Sequence, residues 1–291
     1  MPSIYKRVQI IINPAAGKNE TILNTINAGL TGSGIEWDAR ITHKFGDATR
    51  LTKEAVADGV DLVAGYGGDG TQLEVANGLI GSGVPQAILP GGTGNAMAFE
   101  LNVPRELAQA VALIANSSNR RAIDVASVGD HFFLLRAYTG IQAEERASRE
   151  SKDKYGNLAY VSEALKFAAK RPEAQYQATI DGQTVSMKAM ICYIFNAGAS
   201  GGINLPELPG VDVSDGLLDL YMITREVKPV RNLTRQLLRI GSAQAGIYHW
   251  QAKEITLVGD PPQNVWIDGE ELGPTPITAK VMPQALDVVV P

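Results

Sequence analysis

Four stretches of this sequence carry residue types and spacings that could do chemistry. The first is Gly65-Tyr66-Gly67-Gly68-Asp69-Gly70-Thr71, which follows an apolar run ending at Ala64. Glycines at a strand-to-helix turn let the backbone approach phosphates, and the helix that follows offers unpaired N–H groups. The second is Pro90-Gly91-Gly92-Thr93-Gly94-Asn95, again between a short strand and a helical pattern. The third is Asp268-Gly269-Glu270, two carboxylates on either side of a glycine. If residues 266–270 are strand-like, side chains 268 and 270 share a face and Glu271 points away. One carboxylate can then take a proton while the other holds a cation or orients the first. Asp-Gly is equally a hairpin signal, with both acids solvated. The fourth stretch holds Asp212, Asp215 and Asp219. Oxygen-rich ligation suits Mg²⁺ or Ca²⁺; a polar loop before a strand is the plain alternative.

The first glycine turn fits three uses. Gly65, Gly67 and Gly70 satisfy the dinucleotide pattern G-x-G-x-x-G. That fold wants an acid roughly 20 residues further on for the ribose, and no Asp or Glu lies between Glu74 and Glu100. Asp69 would also stand beside the pyrophosphate, anion against anion. A nucleoside triphosphate loop gives Asp69 work, as the holder of a magnesium-bound water or of the loop itself. The Walker A pattern G-x-x-x-x-G-K-[ST] is absent, which excludes a P-loop enzyme. The third use is a tight turn with no ligand. A second glycine loop at the end of another strand speaks against it, because two such loops define the crevice where open α/β sheets bind ligands.

The elements that must position these residues follow from periodicity. Strands are expected over 7–12, 37–41, 61–64 and 86–89, and helices over 21–30, 49–57, 71–80 and 104–114. This alternation predicts an α/β nucleotide-binding domain with a mainly parallel sheet and helices on both faces. After Asp124 the pattern changes. Residues 125–137, 174–181, 184–196, 217–223, 253–258, 264–268 and 277–290 read as strands, with helices only at about 157–170 and 228–245. The second domain is therefore β-rich. In 157–170, Leu158, Val161, Leu165 and Ala168 make one face, packed on that domain's core or forming a lipid-entry wall. In 228–245, Arg231, Arg235 and Arg239 form a basic stripe, which reads as a solvated face or as a patch for lipid headgroups.

Composition narrows the classes. The 291 residues carry a net charge of −5, so there is no global attraction to nucleic acid or anionic membrane. The single cysteine, Cys192, lies in an apolar stretch, which rules out an internal disulfide or a cysteine zinc site and reads as a buried, inert thiol. His43, His131 and His249 are scattered and form no metal-binding pattern. No apolar run reaches the roughly 20 residues a membrane span needs, and the first residues lack the features of a signal peptide. A cytoplasmic protein is expected, without nucleic acid as a partner.

At the level of motifs, Asn13-Pro14-Ala15-Ala16-Gly17, Gly67-Gly68-Asp69-Gly70-Thr71 and Pro90-Gly91-Gly92-Thr93-Gly94-Asn95 resemble the diacylglycerol kinase family of lipid kinases, in its soluble bacterial branch related to sphingosine kinases. Gly-Gly-Asp-Gly alone is shared with NAD kinases and phosphofructokinases. Gly156-Asn-Leu-Ala-Tyr160, Asp215-Gly-Leu-Leu-Asp-Leu220 and Ile267-Asp-Gly-Glu270 extend the resemblance over nearly the whole chain. It implies an ATP-binding α/β domain (1–124, with a returning last strand at about 284–291) and a β-sandwich lipid-substrate domain (125–283), with the active site between them. ATP is then expected along Asn13, Pro14, Ala15, Ala16 and Gly17, at Thr42, on Gly67, Gly68, Asp69, Gly70, Thr71, Gln72 and Leu73, and at Thr93 and Asn95. The family's proton acceptor matches Glu270, with Asp268 beside it. Its magnesium site matches Asp212, Asp215 and the carbonyl of Leu217, and Asp124 matches an acid of a magnesium–water network. The resemblance implies Mg²⁺ as cofactor, a membrane lipid met by transient peripheral contact, and compatibility with a homodimer. One departure is clear: many members carry an acid where this chain has Ala96. An NAD kinase-like enzyme and a nucleotide-binding module without catalysis are the alternatives.

Overall fold

In the computed structural model, which describes residues 3–16, 20–140, 172–198, 211–225 and 246–291, the apolar run Arg7–Ile12 forms β1, buried from Val8 onward. The elements then alternate: α1 (Ile22–Leu30), β2 (Glu36–Ile41), α2 (Asp47–Ala57), β3 (Leu62–Gly67), α3 (Asp69–Leu79), β4 (Gln86–Pro90), α4 (Ala96–Glu100) and α5 (Leu107–Asn116). Strands follow: β5 (Arg120–Val128), β6 (His131–Phe133), β7 (Arg136–Thr139), β8 (Ala174–Ile180), β9 (Gln183–Ala189), β10 (Ile191–Phe195), β11 (Leu218–Ile223), β12 (Ile247–Ala252), β13 (Glu254–Asp260), β14 (Asn264–Ile267), β15 (Glu270–Pro274) and β16 (Ile277–Val289). The chain divides into two compact units, one of Met1–Val125 with Pro283–Pro291 and one of Ala126–Met282.

In the first unit the strands run β2-β1-β3-β4, all parallel. Near the end of β16, Val288 pairs with Gln86 of β4, again parallel. β3 and β4 are buried at every residue, as strands covered on both faces must be. α2 packs on α3 and α1 on α5; right-handed crossovers put these two pairs on opposite faces. The strand order turns at β1, with β2 on one side and β3 on the other. The carboxyl ends of β1 and β3 therefore flank a switch point, the place where open α/β sheets take ligands.

The second unit is built of antiparallel strands. β13 pairs with the first residues of β16 and with β8, and β8 with β9. The other sheet runs β12-β11-β10-β7-β14-β15. Alternation along β8 and β13 turns Tyr176, Ala178, Ile180, Ile255 and Leu257 inward. They meet Ile194, Leu220, Trp250 and Val265 of the other sheet in one sandwich core. Cys192 is a free thiol inside it, and burial pushes its pKa well up.

The α/β-plus-sandwich class is as expected. Boundaries differ where a turn interrupts an apolar run. The segment read as one strand over 125–137 breaks at Gly129, whose φ of 56° closes the β5–β6 hairpin, and resumes as β7. The segment 184–196 breaks at Met190, so that β9 and β10 join different sheets. α4, β12 and β15 were not expected. The helices read over 157–170 and 228–245, and with them Gly156–Tyr160, Arg231, Arg235 and Arg239, lie outside the described residues, as does Gly17.

Candidate active site

The end of β1 is tied to its neighbours by Asn13. Its N–H donates to the Tyr66 carbonyl of β3 at 2.9 Å. Its side-chain amide donates to Thr71 Oγ1 at 3.0 Å, and its Oδ1 accepts the Ala15 N–H at 3.0 Å. Pro14 and Ala15 are exposed beyond it. At the end of β2, Thr42 is buried and donates its N–H to Ile12 at 2.9 Å. Just past it, Asp47 accepts the N–H groups of His43 and Lys44. Those bonds, with Arg50, hold its carboxyl below the usual carboxylate range.

The two glycine loops meet back to back. A Cβ on Gly92 would stand 2.5 Å from Gly68 Cα, so the second loop has no room for a side chain there, whereas a Cβ on Gly68 would meet Gly92 Cα at an ordinary 3.4 Å. A Cβ on Gly67 would stand 2.4 Å from Thr71 Oγ1, which is why glycine precedes this helix start. Asp69 opens α3 and joins the loops: its Oδ1 accepts the Met97 N–H at 3.2 Å, and its Oδ2 lies where a Gly94 side chain would begin. Asn95, in the left-handed region at φ 48°, closes the second loop on itself. Its Nδ2 donates to the Gly92 carbonyl at 2.7 Å and its Oδ1 accepts the Gly92 N–H at 2.9 Å. Gly70 and Thr93 are exposed, and Leu73 is half-buried. Gln72 turns inward: its Nε2 donates to the Gly65 carbonyl at 2.8 Å, and its Oε1 accepts from Gln86 at 2.9 Å. Ala96, where the resemblance leads one to look for an acid, is buried at the first turn of α4.

Tyr66 was not singled out by its type, yet it touches both the end of β1 and the second glycine loop. Its ring lies beneath Gly91, where a Cβ would come 2.8 Å from Cζ, and its hydroxyl donates to Glu20 at 2.7 Å. Burial, with the Glu20 carboxylate, drives its phenol far above the usual range. Asp124 is fully buried and accepts the Gln284 N–H at 2.8 Å, a bond inside the first unit.

In the second unit the Asp268-Gly269 pair is not strand but a two-residue hairpin between β14 and β15, with φ of 45° and 100°. Positive φ at both central residues is the type I′ signature that suits the twist of a hairpin. The strand-face argument for residues 268 and 270 therefore does not apply. Asp268 is also not a solvated turn acid. Its carboxylate accepts the N–H groups of Leu134 at 2.8 Å, Leu135 at 3.1 Å and Arg136 at 2.8 Å, while its own N–H donates to the Arg136 carbonyl at 3.0 Å. Burial raises its carboxyl to about 6, against those donors and the Arg136 charge, which pull it down. Glu270 leaves this locked turn as the exposed first residue of β15.

Asp212 and Asp215 share one tight turn. Asp212 Oδ1 accepts the Ser214 N–H and Asp215 Oδ1 the Leu217 N–H, both at 3.0 Å. Asp219 does not join them. It is fully buried in β11 and pairs with His249 Nε2 at 2.5 Å, under the Tyr221 ring stacked 4.3 Å from the imidazole. Among the described residues, Asp219 Oδ2 and His249 Nδ1 have no hydrogen-bond partner. Among the described residues no three His, Cys, Asp or Glu side chains gather as a metal centre. Two carboxylates and the Leu217 carbonyl remain compatible with Mg²⁺, which keeps several waters and needs only one or two protein carboxylates.

Residues 7–128 match the family described as diacylglycerol kinase catalytic domain, and residues 136–290 the family described as YegS C-terminal NAD kinase beta sandwich-like domain. The chain belongs to the diacylglycerol kinase-like family of lipid kinases. A Staphylococcus haemolyticus protein described as "Putative lipid kinase" is 30% identical, over 82% of this chain and 80% of its own length. A Synechocystis protein described as uncharacterized is 29% identical over 98% of this chain and 70% of its own. A solved Bacillus anthracis structure described as a diacylglycerol kinase aligns at TM-score 0.76 and 25% identity, covering 99% of this chain and 98% of that one. Another from the same organism aligns at TM-score 0.78 and 27% identity, with the same coverage. As a lipid kinase family member the protein is a kinase-type enzyme that uses a nucleotide co-substrate. The glycine-loop cluster lies in the part matched to the catalytic domain, and Asp268, Glu270, Asp212, Asp215 and Leu217 lie in the part matched to the sandwich.

Proposed function

We propose that this lipid kinase transfers the γ-phosphoryl group of ATP to the hydroxyl of diacylglycerol or a related lipid. The observation that carries the reading is the back-to-back contact of Gly68 and Gly92 at the carboxyl ends of β3 and β4, next to the switch point of the parallel sheet and beside the first turn of α3. Backbone N–H groups and a helix N-terminus are suited to a triphosphate. Phosphoryl transfer asks mainly for positioning and charge neutralisation. Asn13, Thr42, Gly67 to Thr71 and Thr93 are the residues for the nucleotide, with Asp69 and Asn95 setting the loops' shape. Glu270 takes the proton of the attacking hydroxyl, the exposed carboxylate on a turn held rigid by Asp268. When bound with the nucleotide, Mg²⁺ would supply neutralisation of phosphate charge. Asp212, Asp215 and the Leu217 carbonyl would hold a second, structural ion.

The lipid lives in a bilayer, and no helix among the described residues is long and apolar enough to cross one. Transient peripheral contact is the mode consistent with turnover, since the product stays in the membrane. The deciding experiment incubates the protein with γ-labelled ATP and Mg²⁺ and with mixed micelles of diacylglycerol, monoacylglycerol, ceramide or a sphingoid base, with NAD in a parallel tube. Label in an extracted lipid supports the reading. Label in NAD, or in no acceptor at all, overturns it.

A further inference from the structure

Tyr66 and Glu20 form a contact that neither family membership nor the phosphate-loop reading explains. Tyr66 is the penultimate residue of β3; its carbonyl receives the Asn13 N–H, and its ring is the floor on which the Gly91 backbone rests. Its hydroxyl donates to Glu20, just ahead of α1, at 2.7 Å. Glu20 is half-buried, and among the described residues Tyr66 is the one group that hydrogen-bonds its carboxylate. A Cβ on Gly91 would lie 2.8 Å from Tyr66 Cζ and the hydroxyl lies 2.7 Å from Glu20, so that carboxylate is no farther from the Gly91 backbone than roughly one Debye length, about 8 Å. An anion this close to a triphosphate repels it, and the side chain has the rotamers to swing closer. A buried tyrosine is an expensive way to fill the space under a glycine, because its hydroxyl needs a partner. Phenylalanine would fill the same volume without that demand.

We propose that Tyr66 is a positioning residue for the nucleotide: its hydroxyl pins the Glu20 carboxylate away from the phosphates, while its ring sets the level of the second glycine loop. This rests on the ATP site proposed above. Tyr66→Phe keeps the ring and frees Glu20. Its ATP Kd, measured by calorimetry with wild-type-like melting as the check on folding, rises about threefold to tenfold at low salt. The loss shrinks as salt rises. Glu20→Gln binds ATP at least as well as wild type, and Tyr66→Phe with Glu20→Gln together returns to within about twofold of wild type. A ring with a merely structural role would give neither the salt dependence nor the suppression. Tyr66→Phe binding ATP like wild type, or a double variant as weak as Tyr66→Phe alone, overturns the pair's role and leaves the ATP site standing. Wild-type protein that binds no ATP overturns both.

Discussion

The contact between the glycine loops makes a sharp demand on Gly92. An alanine there would place its Cβ 2.5 Å from Gly68 Cα and 3.2 Å from Gly68 N, and both of those are backbone atoms that cannot rotate aside. Carbon atoms prefer about 3.5–4.0 Å, so the loops must part by roughly 1 Å or more. Overpacking of this kind costs about 1–3 kcal/mol. If the same loops cradle the phosphates, the displacement carries into binding, and ATP affinity falls about 5- to 150-fold. Gly68→Ala is the matched comparison. Its Cβ would meet Gly92 Cα at an ordinary 3.4 Å, and Gly68 has φ −84°, which any residue adopts. It should melt like wild type, whereas Gly92→Ala melts a few degrees lower. Calorimetric titration with ATP and thermal unfolding measure the two effects separately. A Gly92→Ala protein with wild-type ATP affinity and melting temperature would refute the back-to-back geometry and the phosphate cradle built on it.

Glu270→Gln should lower kcat by about 10²–10⁴-fold while leaving ATP affinity unchanged, since only the proton acceptor is removed; wild-type turnover moves the base elsewhere. Burial raises Asp268 from 3.8 to about 6, so the folded state holds its proton more tightly than the unfolded chain. Its stabilising contribution is full below pH 4 and is lost as pH rises through 6, by at most about 3 kcal/mol. Urea unfolding of wild type and Asp268→Asn between pH 4 and 7 should therefore show a slope in the first that the second lacks, and parallel curves contradict it. Mg²⁺ should raise the melting temperature of wild type more than that of Asp215→Ala, by linkage of binding to folding; equal responses remove the ion from Asp215.

Much of the first unit was legible because its elements are long and periodic. β1 needed no correction, and β4 and α3 moved at their ends by no more than two residues. The glycine loops were legible for the same reason: glycine at a strand-to-helix turn is a backbone signal, and it survives without knowledge of the neighbours. What stayed hidden depends on contacts distant in sequence. Asp268 reads as a turn acid until Leu134, Leu135 and Arg136 bring their N–H groups to it. Asp219 reads as part of an acidic loop, yet strand alternation places it beside His249, thirty residues on. A histidine inside the apolar run Ile247–Ala252 was the available hint. Gln72 reads as a ligand-facing residue of the loop, and helical phase turns it toward β3 instead. Tyr66 reads as one more buried aromatic, because its partner Glu20 is distant in sequence.

The first unit is discontinuous: its sheet takes its last strand from Pro283–Pro291, after the whole of the second unit has passed. On the ribosome this fixes an order. Residues 1–125 emerge first but wait for Val288 to pair with Gln86, and for Val290 and Gln284 to bond Asn119 and Asp124. The second unit, continuous from Ala126 to Met282, has all its strands before the first is complete. Vectorial synthesis ordinarily lets the N-terminal portion fold first, and here it reverses the order of completion. A nascent chain stalled before residue 283 would carry a finished sandwich and a sheet with β4 as a bare edge, open to pairing with another chain. Nucleotide competence would then wait for Pro283–Pro291, after the whole of the second unit has been made.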